Sequence, residues 1–358
     1  MTVNSFSHRK TANSERMEYL DMARGIGILF VVLGHHLAGA ETLTEWIYSF
    51  HMPLFFIISG WIYAHKRPQT SLRALGAKRA GALLYPYTVF SLLILAWKYA
   101  LYFLLGSYPD ENFSEIWLKF ATTYGYHALW FLPTLFFSEI IVHCIETRTI
   151  FKHRRMIIYL LFVAGGWIIS GFMEAGLPSG FLDYAMRYAG RICLAVMFCK
   201  IGMVIQPYLC AADRRNRFLL AVGTAVLSCV LFRVNGLANM GVFRIGSFPI
   251  YVLLGLCGSL PVILWCQMLG KSRYFSFWGR NSLLVMLTHM DFSIEIAYIL
   301  LAQLGIGELI GNSFILSLAA IGLELLLEAA AIPIVKRFLP FLLTAPRLSQ
   351  FYSNRRSL

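Results

Sequence analysis

The first apolar stretch, "YLDMARGIGILFVVLGHH" (19–36), keeps three groups able to do chemistry: Asp21, Arg24 and His35. On a helix turning about 100° and rising about 1.5 Å per residue, Arg24 and His35 lie within about 20° of one another and about 16 Å apart along the axis. Asp21 lies within about 60° of Arg24, so the three form one polar stripe, while His36 falls about 120° away. A charge near the middle of a bilayer costs roughly 2.5–3.5 kcal/mol, and such residues usually face the interior of a helix bundle and mark function. A histidine there is a candidate proton acceptor, because its charge changes near neutral pH. The plain alternative is a core histidine bonded to a neighbouring helix, with Asp21 and Arg24 an interfacial ion pair.

The elements that must position these groups are membrane helices. With 58% hydrophobic and 14% charged residues in 358, the chain is too apolar for an ordinary soluble globule. It reads as an all-α membrane protein, a bundle of about ten transmembrane helices. The spans are expected near 22–40, 47–65, 83–105, 128–147, 156–173, 189–205, 218–234, 246–268, 281–301 and 313–335. Residues 17–340 form one membrane domain, between tails at 1–16 and 341–358.

Of the Lys and Arg residues, 23 fall in the termini and alternate loops, against Lys119, Arg187 and Arg244 in the opposite loops. By the positive-inside rule both termini are cytoplasmic. The net charge of +13 therefore reports topology rather than nucleic-acid binding, since it is scattered between apolar runs. The partner that this composition does demand is the lipid bilayer. Seven cysteines, without metal-ligand spacing, read as small buried hydrophobes, and no metal is expected.

Several segments in order resemble a known family: "DMARGIGILFVVLGH", "FHMPLFFIISGW", "HALWFLPTLFFSEI", "YVLLGLCGSL" and "WGRNSLLVMLTH". Together they resemble the acyltransferase-3 family of integral membrane O-acyltransferases, most nearly its fucose 4-O-acetylase-like branch. The resemblance implies ten core helices in a bacterial cytoplasmic (inner) membrane. It further implies transfer of an acyl group, usually acetyl from cytoplasmic acetyl-CoA, to a hydroxyl of a cell-surface glycan or its lipid-linked precursor. It carries a functional Arg and His onto Arg24 and His35, the pair that the helical geometry also selects. Asp21 and Arg24 would orient the site or hold the donor, while His35 acts as base or transient acyl carrier.

The family's paired arginines before the third span, attributed to acyl-CoA handling, find Arg79 here, with Gly76 three residues before it. Lys78 or Arg73 would substitute, and Arg280, at the basic end of the ninth span, is a further donor-binding candidate. On the acceptor side the candidates are His51, Trp130, Glu139, Asn281, Ser282 and His289. Asn281 is expected to cap the start of the ninth span, Ser282 and His289 to share its face, and Glu139 to pair with a buried base such as Arg191. The acid pairs Asp291/Glu295 and Glu324/Glu328 are expected to face protein or water rather than lipid. A rival from another class is a proton-coupled transporter, which also uses intramembrane acids and histidines. Against it, the chain shows neither an internal repeat nor matched broken helices.

Overall fold

In hydrocarbon every backbone N–H and C=O must find a partner within the protein, and an apolar run of about 20 residues does so within itself as a helix. A computed structural model describes residues 17–35, 41–68, 70–106, 112–305 and 314–344, and the described residues form helices and connections with one isolated bridge, Asn239 to Arg244. The first half holds α1 (Glu18–Gly34), α2 (Glu41–Tyr48), α3 (His51–Lys66), α4 (Leu72–Arg79), α5 (Tyr85–Leu105), α6 (Phe113–Ala121) and α7 (Phe131–Thr147). The second half holds α8 (Arg155–Glu174), α9 (Gly180–Ala211), α10 (Arg214–Asn235), α11 (Phe248–Leu269), α12 (Arg273–Thr288), α13 (Ile294–Gln303) and α14 (Phe314–Phe338).

Nine helical stretches among the described residues are long and apolar enough to cross a membrane. The expected tenth, 22–40, is α1, whose 17 residues end at Gly34; residues 36–40, including His36, lie outside the described residues. The short α2, α4 and α6 were not expected from hydrophobic periodicity. Asn112 caps α6 by accepting from the Glu115 N–H at 2.9 Å, and Ser71 caps α4 through the Ala74 N–H at 3.2 Å. The 1–16 tail lies outside the described residues, as does 345–358, while the carbonyl of Phe341 accepts from the Tyr85 hydroxyl at 2.8 Å.

Two wide π turns interrupt the helices. Ala80–Leu84 joins α4 to α5 just before Pro86, which has no N–H to give the α ladder. His289–Ser293 joins α12 to α13 inside the expected ninth span. Such wide turns recur at functional sites, and this one carries two of the polar residues in question, His289 and Asp291.

Around a core of α1, α3, α9, α11 and α12, the helices α8 and α10 are peripheral. They present Ile157, Leu160, Leu161, Trp167, Val226 and Val230 outward, as lipid-facing helices must. The chain is thus a multi-pass integral membrane protein by its helices.

Candidate active site

The site begins where α1 meets α12. Gly25 and Gly279 bring the two backbones into contact: a Cβ on Gly25 would lie 1.9 Å from the Phe275 carbonyl oxygen, and one on Gly279 would lie 1.7 Å from that of Asp21. From this crossing the helices run side by side in the same direction. His35, ten residues beyond Gly25, meets His289, ten residues beyond Gly279, with ring centroids 5.4 Å apart.

At the basic end, the buried carboxylate of Asp21 stands between two guanidinium groups. Arg24 Nη1 is 3.6 Å from its Oδ1 and Arg280 Nε is 3.7 Å from its Oδ2. The stripe read from α1 therefore gains Arg280 across the glycine contact.

At the other end, His35 is the residue on which α1 stops, its N–H turned back to the Val32 carbonyl. Its Nδ1 is hydrogen-bonded to the Tyr48 hydroxyl at 3.0 Å. His51 packs behind Tyr48, ring centroids 4.9 Å apart, and is buried. His51 Nδ1 contacts the Ile47 carbonyl at 2.8 Å, and His289 Nδ1 contacts the Val285 carbonyl at 2.9 Å. A carbonyl only accepts, so in both rings Nδ1 carries the proton and, when neutral, Nε2 keeps the lone pair. Three histidines and a tyrosine thus converge, with the tautomers of His51 and His289 set by backbone carbonyls and the Nδ1 of His35 facing the Tyr48 hydroxyl. Among the described residues no group of three or more His, Cys, Asp or Glu forms a candidate metal site.

A second polar group adjoins this one through the π turn. His127 Nδ1 is 2.7 Å from Asp291 Oδ1, Lys98 Nζ is 3.7 Å from the same oxygen, and Lys98 also pairs with Glu295, whose Oε2 accepts from Trp97 Nε1 at 2.7 Å. His127 reaches Asp291 on a strained backbone: Thr123, Gly125 and His127 all have positive φ, at 56°, 85° and 42°. Arg191 holds this loop. It is fully buried, donates from Nη1 to the Tyr124 carbonyl at 3.1 Å, and lies over the rings of Tyr124, Trp130 and Tyr188 at 4.0, 5.5 and 5.5 Å. Trp130 is buried at the end of the turn that starts with His127.

Near the basic ends of α3 and α4 lies a cavity of about 310 Å³ whose lining includes Ser59, Lys66, Lys78, Arg79 and Glu139. Glu139 pairs with Arg79, Nε to Oε2 at 2.7 Å, and accepts from Ser59 Oγ at 2.6 Å. The expected pairing of Glu139 with Arg191 is therefore corrected: Arg191 is occupied by the aromatic cage, and the nearer guanidinium is Arg79. Arg24 also stands within electrostatic range of Glu139. Of the basic residues expected near the donor, Lys78 and Arg79 line this cavity, while Arg73 is exposed on α4 outside its lining.

One further expectation changes. Asn281 does not cap the ninth span: α12 starts at Arg273 with Ser272 as its cap, and Asn281 sits inside, donating to the Phe277 carbonyl at 2.6 Å. Ser282 donates to the Gly279 carbonyl at 3.0 Å on its own helix. Sequence reasoning passed over His127, Lys98 and Tyr48. Lys98 carried a usable signal, as a lone cation inside an apolar run that requires an acid from another helix.

Residues 17–328 match the acyltransferase domain of the acyltransferase-3 family, and the chain belongs to that family. The nodulation protein NolL of Mesorhizobium japonicum (strain LMG 29417 / CECT 9101 / MAFF 303099) is 31% identical over 137 residues, which are 36% of this chain and 35% of that protein. The chain thus matches about a third of the length of this curated relative. No solved structure matches it.

Proposed function

We propose that this acyltransferase moves acetyl from cytoplasmic acetyl-CoA to a hydroxyl of a cell-surface glycan or its lipid-linked precursor. Both termini would then lie in the cytoplasm of a bacterium, with the protein in its inner membrane. The observation that carries this reading is the meeting of His35 with His289 and Tyr48 at one end of α1, while Arg24, Asp21 and Arg280 gather at the other.

Coenzyme A presents phosphates, and the basic end, with Lys66, Lys78 and Arg79 lining one cavity, offers the cations to receive them. Acyl transfer requires a base for the attacking hydroxyl and stabilisation of charge on the carbonyl oxygen. His35 supplies the base, or first takes the acyl group on its ring. In direct transfer the hydroxyl oxygen bonds the acyl carbon as the carbon–sulfur bond breaks, and the hydroxyl proton passes through His35 to the departing thiolate. By the carrier route the ring nitrogen first bonds the acyl carbon as the carbon–sulfur bond breaks and the ring's proton goes to the thiolate. The hydroxyl oxygen then bonds the acyl carbon as the carbon–nitrogen bond breaks and the hydroxyl proton returns to the ring. Tyr48 and His289 fix and polarise the His35 ring, and His127 with Asp291 and Trp130 forms the acceptor side.

The test is transfer of radiolabel from acetyl-CoA in membranes with and without the protein, reading alkali-labile label in the glycan fraction. Label that depends on the protein supports the reading. Accumulation of a solute without acetyl-CoA, and no label, would replace it with the transporter.

A further inference from the structure

The acids of α14 have no part in the scheme above, yet Glu328 is buried at the π turn. Its Oε1 accepts from the Ser293 hydroxyl at 2.5 Å and from the Thr288 hydroxyl at 2.7 Å, whose single proton it shares with the Leu284 carbonyl 2.8 Å away, and Oε2 is 2.9 Å from the same Thr288 oxygen. Thr288 is the last residue of α12 and Ser293 the last residue of the turn. One carboxylate therefore spans the whole five-residue interruption, His289–Ser293.

We propose that Glu328 is a positioning residue for acyl transfer: it clamps the π turn, and so holds His289 against His35 and Asp291 against His127. This rests on the functional reading above and adds to it a residue outside the reacting groups.

The physical case has three parts. A π turn carries one residue more than the α ladder allows, so its shape needs support from outside the helix. The turn sends His289 and Asp291 to two different partners, so a change in its winding displaces both contacts at once. Shared acceptance by a single oxygen ties both ends of the turn to one point on α14, where two separate acceptors would let them move apart.

The test compares E328Q and E328L. Glutamine keeps a carbonyl oxygen able to accept from both hydroxyls, while leucine keeps the volume and removes the acceptor. E328L leaves the Thr288 and Ser293 hydroxyls without this acceptor, at about 1–3 kcal/mol, so its level in membranes is measured beside its activity. A displacement of about 1 Å away from the chemistry can cost about 10²-fold in rate. The expected result is therefore kcat for acetyl transfer down about 10²-fold in E328L, KM for acetyl-CoA within about twofold of wild type, and E328Q within about threefold in both.

Wild-type kcat in E328L, or an E328Q loss equal to that of E328L, would overturn the clamp. Should E328L fail to accumulate, S293A removes one arm and keeps the carboxylate: a tenfold fall in kcat supports the proposal, and no fall overturns it. A wild-type protein that transfers no label removes the functional reading and the clamp together, whereas a fully active E328L beside an active wild type removes the clamp alone.

Discussion

Substituting Gly279 with alanine tests the helix contact on which the site is built. The added Cβ would lie 1.7 Å from the Asp21 carbonyl oxygen, whereas ordinary contact needs about 3.5 Å, so α1 and α12 must part by nearly 2 Å. Overpacking of this kind costs about 1–3 kcal/mol. The larger effect is on geometry: a shift of that size, carried ten residues along both helices, separates His35 from His289, whose centroids stand 5.4 Å apart. At roughly 10²-fold for each ångström of misplacement, transfer should fall by at least about 10²-fold in G279A. The control is Gly223→Ala on α10, where a Cβ meets nothing within 4 Å and helix propensity favours alanine by about 1 kcal/mol. Both variants are assayed in membranes for acetyl transfer, and after solubilisation for thermal unfolding. G279A with wild-type transfer and unfolding would refute the close crossing and the site drawn from it.

Tyr48→Phe removes the hydrogen bond to His35 and keeps the ring; at about 0.5–1.5 kcal/mol for such a bond, transfer is expected to fall about two- to tenfold, read as kcat. Lys78→Ala, at an exposed position lining the basic cavity, is expected to raise KM for acetyl-CoA without changing thermal unfolding. Arg79→Ala should raise KM and also destabilise by about 1–3 kcal/mol, because Glu139 is left buried without its guanidinium; equal unfolding temperatures would contradict the pairing. Asp291→Asn is expected to weaken use of the acceptor, seen as a rise in its KM, through the loss of charge opposite His127 and Lys98.

Much of this was legible in the sequence. Apolar runs of about 20 residues bounded by Lys and Arg announce an all-helical membrane bundle because a helix of that length crosses the bilayer with its backbone bonded within itself, and five ordered segments announced the family that residues 17–328 match. The alignment of Arg24 with His35 follows from helix geometry alone. Partners across helices did not follow. Asp21 finds Arg280 only because two glycines let α1 and α12 touch, and Glu139 finds Arg79 because α4 packs against α7. His127 was invisible for another reason: it depends on a loop with three positive-φ residues, which no periodicity encodes. Asn281 was misplaced because a helix start was set at the edge of the apolar run, whereas α12 begins eight residues earlier in a polar stretch capped by Ser272.

The most direct test of the central claim is the single substitution His35→Ala, at matched expression, in the radiolabelled acetyl-CoA assay. Loss of a positioned base is worth about 10²- to 10⁴-fold, so label in the glycan fraction should fall to background while the protein remains folded. Glycan labelling at the wild-type level in H35A would contradict the account, because it would show acetyl transfer proceeding without the histidine on which the site converges.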